Sequence, residues 1–185
     1  MNPKTEEQLK TVTAMCRDVF TKKTYDYGAS WRIMRPEAIT DQIYIKANRI
    51  RTLQTTGENR VGEGIVPEFV GIVNYGIMGV IQLRHGYSET VDMTAAEVVR
   101  LYDEQLAAAL ALLDAKNHDY DEAWRLMRVS SYVDLILMKI NRTKQIEDHA
   151  GATLVSEGID ANYMDMVNYS LFGLIKLVCE RDDEA

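Results

Sequence analysis

Two cations three residues apart occur twice in this chain, in nearly the same wording. Lys46 and Arg49 recur as Lys139 and Arg142, with Asp41 and Asn48 matched by Asp134 and Asn141. On a helix such a spacing puts both cations on neighbouring parts of one face. Converging cations suit a phosphate or another anion, and arginine adds a planar donor fork. Asp41, two turns from Arg49, could hold that arginine in place. The alternative use of the same charges is a lattice of ion pairs between helices. The two uses differ in energy. An exposed pair is worth about 0–1 kcal/mol, whereas removing one partner of a buried pair costs about 3–5 kcal/mol.

A second set follows each cation pair. Glu68, Gly71 and Asn74 are spaced by three, with Tyr75 beside the asparagine, and their counterparts are Asn162, Asp165, Asn168 and Tyr169. Glu63 and Glu157 lie just upstream. Carboxylates and carboxamides at this spacing could hold a hard cation such as Mg²⁺, which prefers oxygen ligands. The candidate metal ligands are therefore Glu63, Glu68, Glu157 and Asp165. The plainer reading has the asparagines bridging helices and the carboxylates capping helices or facing water. Trp31 and Trp124 each follow an Asp-Tyr pair and precede an arginine. They are candidates to stack on a nucleobase, or else core residues with a satisfied N–H. Asp26 and Asp119 are metal or ribose ligands, or fix a turn through local backbone hydrogen bonds. His118 stands opposite Tyr25 and is given no catalytic role. No Ser-His-Asp or Cys-His arrangement and no Gly-rich phosphate loop is visible.

These sets belong to one long echo. KTYDYGASWRIMR and KNHDYDEAWRLMR align without a gap, with Lys23 on Lys116 and Trp31 on Trp124, an offset of 93. After a one-residue slip, EGIVPEFVGIVNYGIMGVIQL lies over EGIDANYMDMVNYSLFGLIKL. So long a match in one register implies an internal duplication, and two copies imply a pseudo-dimer. The period exceeds that of solenoid repeats. The copies are expected over residues 1–88 and 94–185, joined by RHGYSETVDM and packed as a unit.

Helices must position these residues. Only three prolines occur in 185 residues, and Ala, Leu, Ile, Met, Glu and Arg are common, which favours helix. Thr94 with Glu97 has capping-box spacing before EVVRLYDEQLAAALALLDAK. HDYDEAW should break that helix. A second helix is expected from Ser131 to His149 with Gly151 ending it, and a third from Asp160, as its cap, to Cys179. Pro67 suits the first turn of the matching helix in copy one. No convincing strand is present, so the expected fold is all-α, about six helices, a duplicated three-helix unit.

Composition narrows the partners. Apolar residues make up 46% and charged residues 26%, with a formal net charge of −7. An acidic chain without Lys/Arg runs has no general affinity for a long nucleic acid. MNPKTEEQLK lacks the apolar core of a secretory signal. FVGIVNYGIMGVIQL, interrupted by Asn74 and glycines, reads as a buried helix rather than a membrane span. Cys16 and Cys179 form no zinc or CxxC pattern and are expected as free thiols. A cytoplasmic protein is the expectation, and further assembly into a homo-oligomer is left open.

The order K-x-x-D-Y, W, D…K-x-x-R, E-x-I and a helix ending in N-Y resembles the nucleotide modification-associated domain family, in both copies. That resemblance implies a nucleotide or modified nucleotide as ligand. The D-x-x-N-Y helix is also similar to the acidic helix of all-α nucleoside-triphosphate pyrophosphohydrolases of the MazG and dimeric dUTPase type. Those enzymes place carboxylates around Mg²⁺ and hydrolyse a phosphoanhydride. This chain departs from them: the E-x-x-E motif is missing, and the second helix carries Lys and Arg instead. Copy one has Gly71 where copy two has Asp165, so a composite site using Glu68 and Asp165 across the pseudo-two-fold is a further expectation. The reading is then nucleotide binding, with phosphoanhydride hydrolysis as an extension. Its alternative is a non-enzymatic helical interaction module tied by ion pairs.

Overall fold

The computed structural model describes residues 1–60, 62–155 and 157–180. Among them lie six α-helices and no strand: α1 (Pro3–Tyr27), α2 (Pro36–Thr56), α3 (Val66–His85), α4 (Ala95–Tyr120), α5 (Val129–Asp148) and α6 (Ile159–Leu174). Short 3₁₀ turns at Ser30–Ile33 and Ala123–Leu126 carry the two tryptophans, and a π-helical segment, Ile175–Cys179, extends α6. Each copy thus supplies a long helix, a 3₁₀ turn and two further helices.

Local chemistry explains most boundaries. The Thr94 hydroxyl and the Glu97 side chain cap the start of α4 reciprocally, satisfying two of the N–H groups a helix start leaves open. Prolines occupy the first turns of α1, α2 and α3, where a missing N–H is harmless. Gly57 closes α2 in the left-handed conformation, φ 68°. Four boundaries differ from the sequence reading. The α4 helix runs through the Asp-Tyr phrase to Tyr120 and breaks only at Asp121 and Glu122, both at positive φ. The α5 helix starts at Val129 and ends at Asp148, with Gly151 at φ 83° just beyond, donating its N–H to the Ile146 carbonyl. Gly158, not Asp160, caps α6, and Asp160 lies in the first turn. The last turns before Cys179 are π rather than α.

The core is built about α3 and α6, which cross at its centre, with α2 on α3, α5 on α6, and α2 against α5. Reciprocal contacts reveal a pseudo-two-fold. At the α3–α6 crossing Phe69 lies over Gly173, and its counterpart Tyr163 lies over Gly79. A Cβ added at either glycine would sit 2.8–3.0 Å from the opposing ring. Each glycine is therefore a notch that lets an aromatic ring close on the neighbouring helix. On the outer surface Asp41 pairs with Lys144 and Asp134 with Arg51, both at 2.6 Å. Lys144 and Arg51 are themselves counterparts, so the two bridges are one contact made twice, as in an isologous dimer. Asp41 is thus committed across the interface and does not brace Arg49.

The asparagines bridge helices in both copies. Asn74 Nδ2 donates to the Cys16 carbonyl and Asn168 Nδ2 to the Ala109 carbonyl, each at 3.2 Å. Tyr102 then donates its hydroxyl to Asn74 Oδ1 at 2.7 Å. Leu9 stands at the position matching Tyr102, and Asn168 Oδ1 has no partner among the described residues. The α3 helix is long and apolar enough to cross a membrane by length and composition, and here most of its residues are packed inside the bundle. Cys16 and Cys179 are free thiols, and burial pushes Cys16 up to about 12.

Candidate functional site

The two copies treat the same set of charges differently. In copy two Asp165 is almost fully buried and is clasped by Lys116 at 2.6 Å on one oxygen and Lys139 at 2.5 Å on the other. Lys139 is itself buried. Burial lowers the Lys116 pKa, but the hydrogen bond and charge of Asp165 outweigh it and hold the ammonium above its ordinary value. Burial pushes the neighbouring Tyr169 phenol up, and the charge of Asp165 adds to it.

In copy one the lysine of α2 finds its carboxylate one turn earlier on the third helix. Glu68 takes Lys46 at 3.4 Å and Arg49 at 2.7 Å. Arg49 also donates to the Glu63 carbonyl at 3.0 Å. Gly71 stands where Asp165 would be, and the stem of Lys46 lies across it. Lys23, the counterpart of Lys116, is exposed and makes no ion pair among the described residues.

A cavity of about 620 Å³ opens at this point, lined by residues of all three copy-one helices and the Trp31 turn. That is ample for a small organic ligand. Its walls are apolar and aromatic, with Met15, Val19, Trp31, Val70 and Met78 among them, and Lys23, Lys46, Asn74 and Tyr75 supply polar groups. Trp31 is buried, and among the described residues its indole N–H, like that of Trp124, has no hydrogen-bond partner. Burial pushes the Tyr75 phenol up. The Lys46 ammonium lies 5.9 Å from the Tyr75 ring centre, within cation–π reach.

Copy two carries bulkier side chains at the corresponding positions. Val70, Gly71 and Met78 align with Met164, Asp165 and Phe172, all larger. Phe172 stacks on Trp124 at 4.3 Å with an interplanar angle of 8°. Arg125 lies over the Trp124 ring, 4.4 Å from its centre, and is held by Glu122 and Glu180 at 2.7 and 2.5 Å. Trp124 is therefore committed to packing, whereas Trp31 borders open space.

The remaining copy-two candidates lie around the same tyrosine: the charges of Arg142 and Glu157, like those of Asp165 and Lys116, act on the Tyr169 phenol. Arg142 is exposed on α5, Glu157 is exposed, and the Glu63 side chain is exposed while its carbonyl serves Arg49. Glu68 and Asp165 each take their cations from their own copy and are not joined in one cluster. Among the described residues no group of three or more His, Cys, Asp and Glu could hold a metal ion. The carboxylates with a defined setting, each engaged by two cations, do not fit a resident Mg²⁺. Asp26 and Asp119 are exposed, with Asp119 beside His118.

The model of the nucleotide modification associated domain 1 family matches residues 23–83 and 116–177. The chain belongs to that family, twice over. Comparison with curated proteins finds no significant match, and comparison with solved structures finds none either. The two family segments begin on Lys23 and Lys116 and end at Leu83 and Leu177. Each family unit thus runs from the last turn of the long helix to near the end of the third. Lys23, Val70, Gly71 and Met78 had not been singled out as binding residues in the sequence. The signal for Lys23 was there, since the repeat opens on it. The signal for the other three was a difference in side-chain size between copies.

Proposed function

We propose that this protein binds a nucleotide or modified nucleotide in the copy-one cavity. The base enters the apolar space bordered by Trp31, Val70 and Met78, and the phosphate meets Lys23 and Lys46 at the rim. The observation that carries this reading is the cavity itself. It joins a base-sized apolar volume to two ammonium groups, one of them without an ion-pair partner among the described residues. Family membership supports a nucleotide-related role. Arg49 acts here through Glu68, which it helps hold beside Lys46. Lys139, paired with Asp165, and Trp124, stacked on Phe172, serve copy two structurally, and Arg142 is exposed on its surface. Mg²⁺ enters only as a companion of the ligand's phosphates.

A helical interaction module remains the second reading, favoured by the buried Lys139–Asp165 pair and the reciprocal surface bridges. Thermal unfolding of the wild type and of a V70M/M78F variant separates the two. Deoxynucleotides are added with and without Mg²⁺. The variant carries the copy-two side chains at two cavity positions. A nucleotide should raise the wild-type Tm and leave the variant unmoved. A wild type indifferent to every nucleotide, or equal shifts in both proteins, would refute the cavity as the site.

A further inference from the structure

The closed copy shows what the open copy lacks. In copy two an anion, the Asp165 carboxylate, sits between Lys116 and Lys139 with one oxygen on each. In copy one the matching lysines, Lys23 and Lys46, line the same cavity as Gly71, the counterpart of Asp165. The backbone and both cations have been kept while the anion has been removed. Lys46 reaches Glu68 only at 3.4 Å, and Lys23 has no carboxylate among the described residues.

We propose that Lys23 and Lys46 form a seat for a single phosphate group, that Asp165 is its built-in occupant in copy two, and that each chain therefore binds one nucleoside monophosphate. This rests on the nucleotide reading and names its substrate class. A lone phosphate is favoured over a polyphosphate chain because no second seat adjoins the first. Arg49, the next cation along α2, is already held by Glu68 and the Glu63 carbonyl. A phosphate offers two or more oxygens to two ammonium groups, the same division of oxygens that Asp165 makes. The apolar cavity beside the seat then sets the rest of the molecule's size and polarity.

The seat also predicts how it is closed. The three nearest atoms that a Cβ at Gly71 would meet all belong to the far end of Lys46, its Cδ, Cε and Nζ at 2.5–3.0 Å. That flexible end can swing aside, so Gly71→Asp should fold and supply the carboxylate that copy two already has. Isothermal titration of the wild type with deoxynucleoside monophosphates, the matching nucleosides and the triphosphates is the direct test. One site per chain is expected, with the nucleosides at least about tenfold weaker than the monophosphates and the triphosphates no tighter. Gly71→Asp should abolish binding while raising the Tm of the free protein by more than Gly71→Asn, whose gain is limited to helix propensity. Two sites per chain, tighter triphosphates, or unchanged binding by Gly71→Asp would overturn the proposal. A wild type that binds no nucleotide removes the functional reading alone. The seat is then read from the free protein. A Tm gain of Gly71→Asp over Gly71→Asn that disappears when combined with Lys23→Ala supports it, and no such gain, or one indifferent to Lys23, overturns it.

Discussion

Copy one and copy two share a backbone plan and differ in what fills one corner of it. In copy two, Phe172 stacks on the tryptophan and Asp165 neutralises two lysines. In copy one, Val70, Gly71 and Met78 leave about 620 Å³ open, and Lys23 is left uncommitted. The comparison teaches that duplication can separate stability from binding. One half keeps a satisfied buried ion pair, while the other gives up packing and keeps a cavity.

The largest test of this division strikes the ion pairs themselves. Asp165→Ala strands the buried Lys139 and should cost about 3–5 kcal/mol of unfolding free energy. Glu68→Ala should cost markedly less, because Lys46 and Arg49 are about a quarter exposed and water can take the carboxylate's place. Denaturant unfolding of both variants measures the difference, and equal losses would erase the proposed asymmetry.

Glycines give the next contrast. Alanine at Gly79 or Gly173 drives a Cβ into the Tyr163 or Phe69 ring and should cost about 1–3 kcal/mol at either position. Alanine at Gly71 meets the flexible end of Lys46 first. It should be neutral or gain up to about 1 kcal/mol from helix propensity. Thermal unfolding of the three variants ranks them. A Gly71→Ala variant as damaged as the other two would mean that Lys46 is rigidly fixed.

A smaller effect concerns pH. Glu147 accepts a hydrogen bond from Thr40 at 2.7 Å, a contact between α5 and α2. Burial raises its pKa, and the Thr40 bond only partly offsets this. A carboxyl raised in the folded state binds its proton more tightly there than in the unfolded chain. Its contribution to stability is full below the unfolded value and is lost as pH rises through the folded value. Glu147→Gln should therefore be neutral or slightly stabilising at pH 7, with the advantage fading on acidification below the ordinary carboxylate range. Urea midpoints across that range read the sign directly, and a growing advantage at low pH contradicts it.

The smallest expected effect is symmetric. Asp41→Asn and Asp134→Asn each remove one exposed cross-copy bridge and should each cost no more than about 1 kcal/mol. Similar small losses are the signature of a two-fold contact. A large loss from one alone would show that the bridges are not equivalent.

Much of the architecture was legible because duplication writes the same pattern twice. The helix count, the capping box at Thr94 and the proline at the start of α3 depend on local chemistry, which a sequence displays. The continuation of α4 through His118–Tyr120 was not legible, since Asp and Tyr there look like a turn and the break needs only Asp121 and Glu122. The charges were legible as repeated pairs, but not their partners. Asp41 reaches Lys144 rather than Arg49, and Asp165 draws Lys116 from another helix, contacts set by helix crossing rather than spacing. Trp31 and Trp124 looked alike in sequence. Only the packing of Phe172, against Met78 in the other copy, tells the stacked indole from the one beside a cavity.

The most direct test of the central claim compares one lysine with its counterpart. The affinity for a deoxynucleoside monophosphate is measured by titration calorimetry on Lys23→Ala and Lys116→Ala. The account predicts a loss of tenfold or more for Lys23→Ala, at the level of one charge-assisted contact, and wild-type affinity for Lys116→Ala at temperatures where it is folded. Equal losses, or a loss confined to Lys116→Ala, would contradict it.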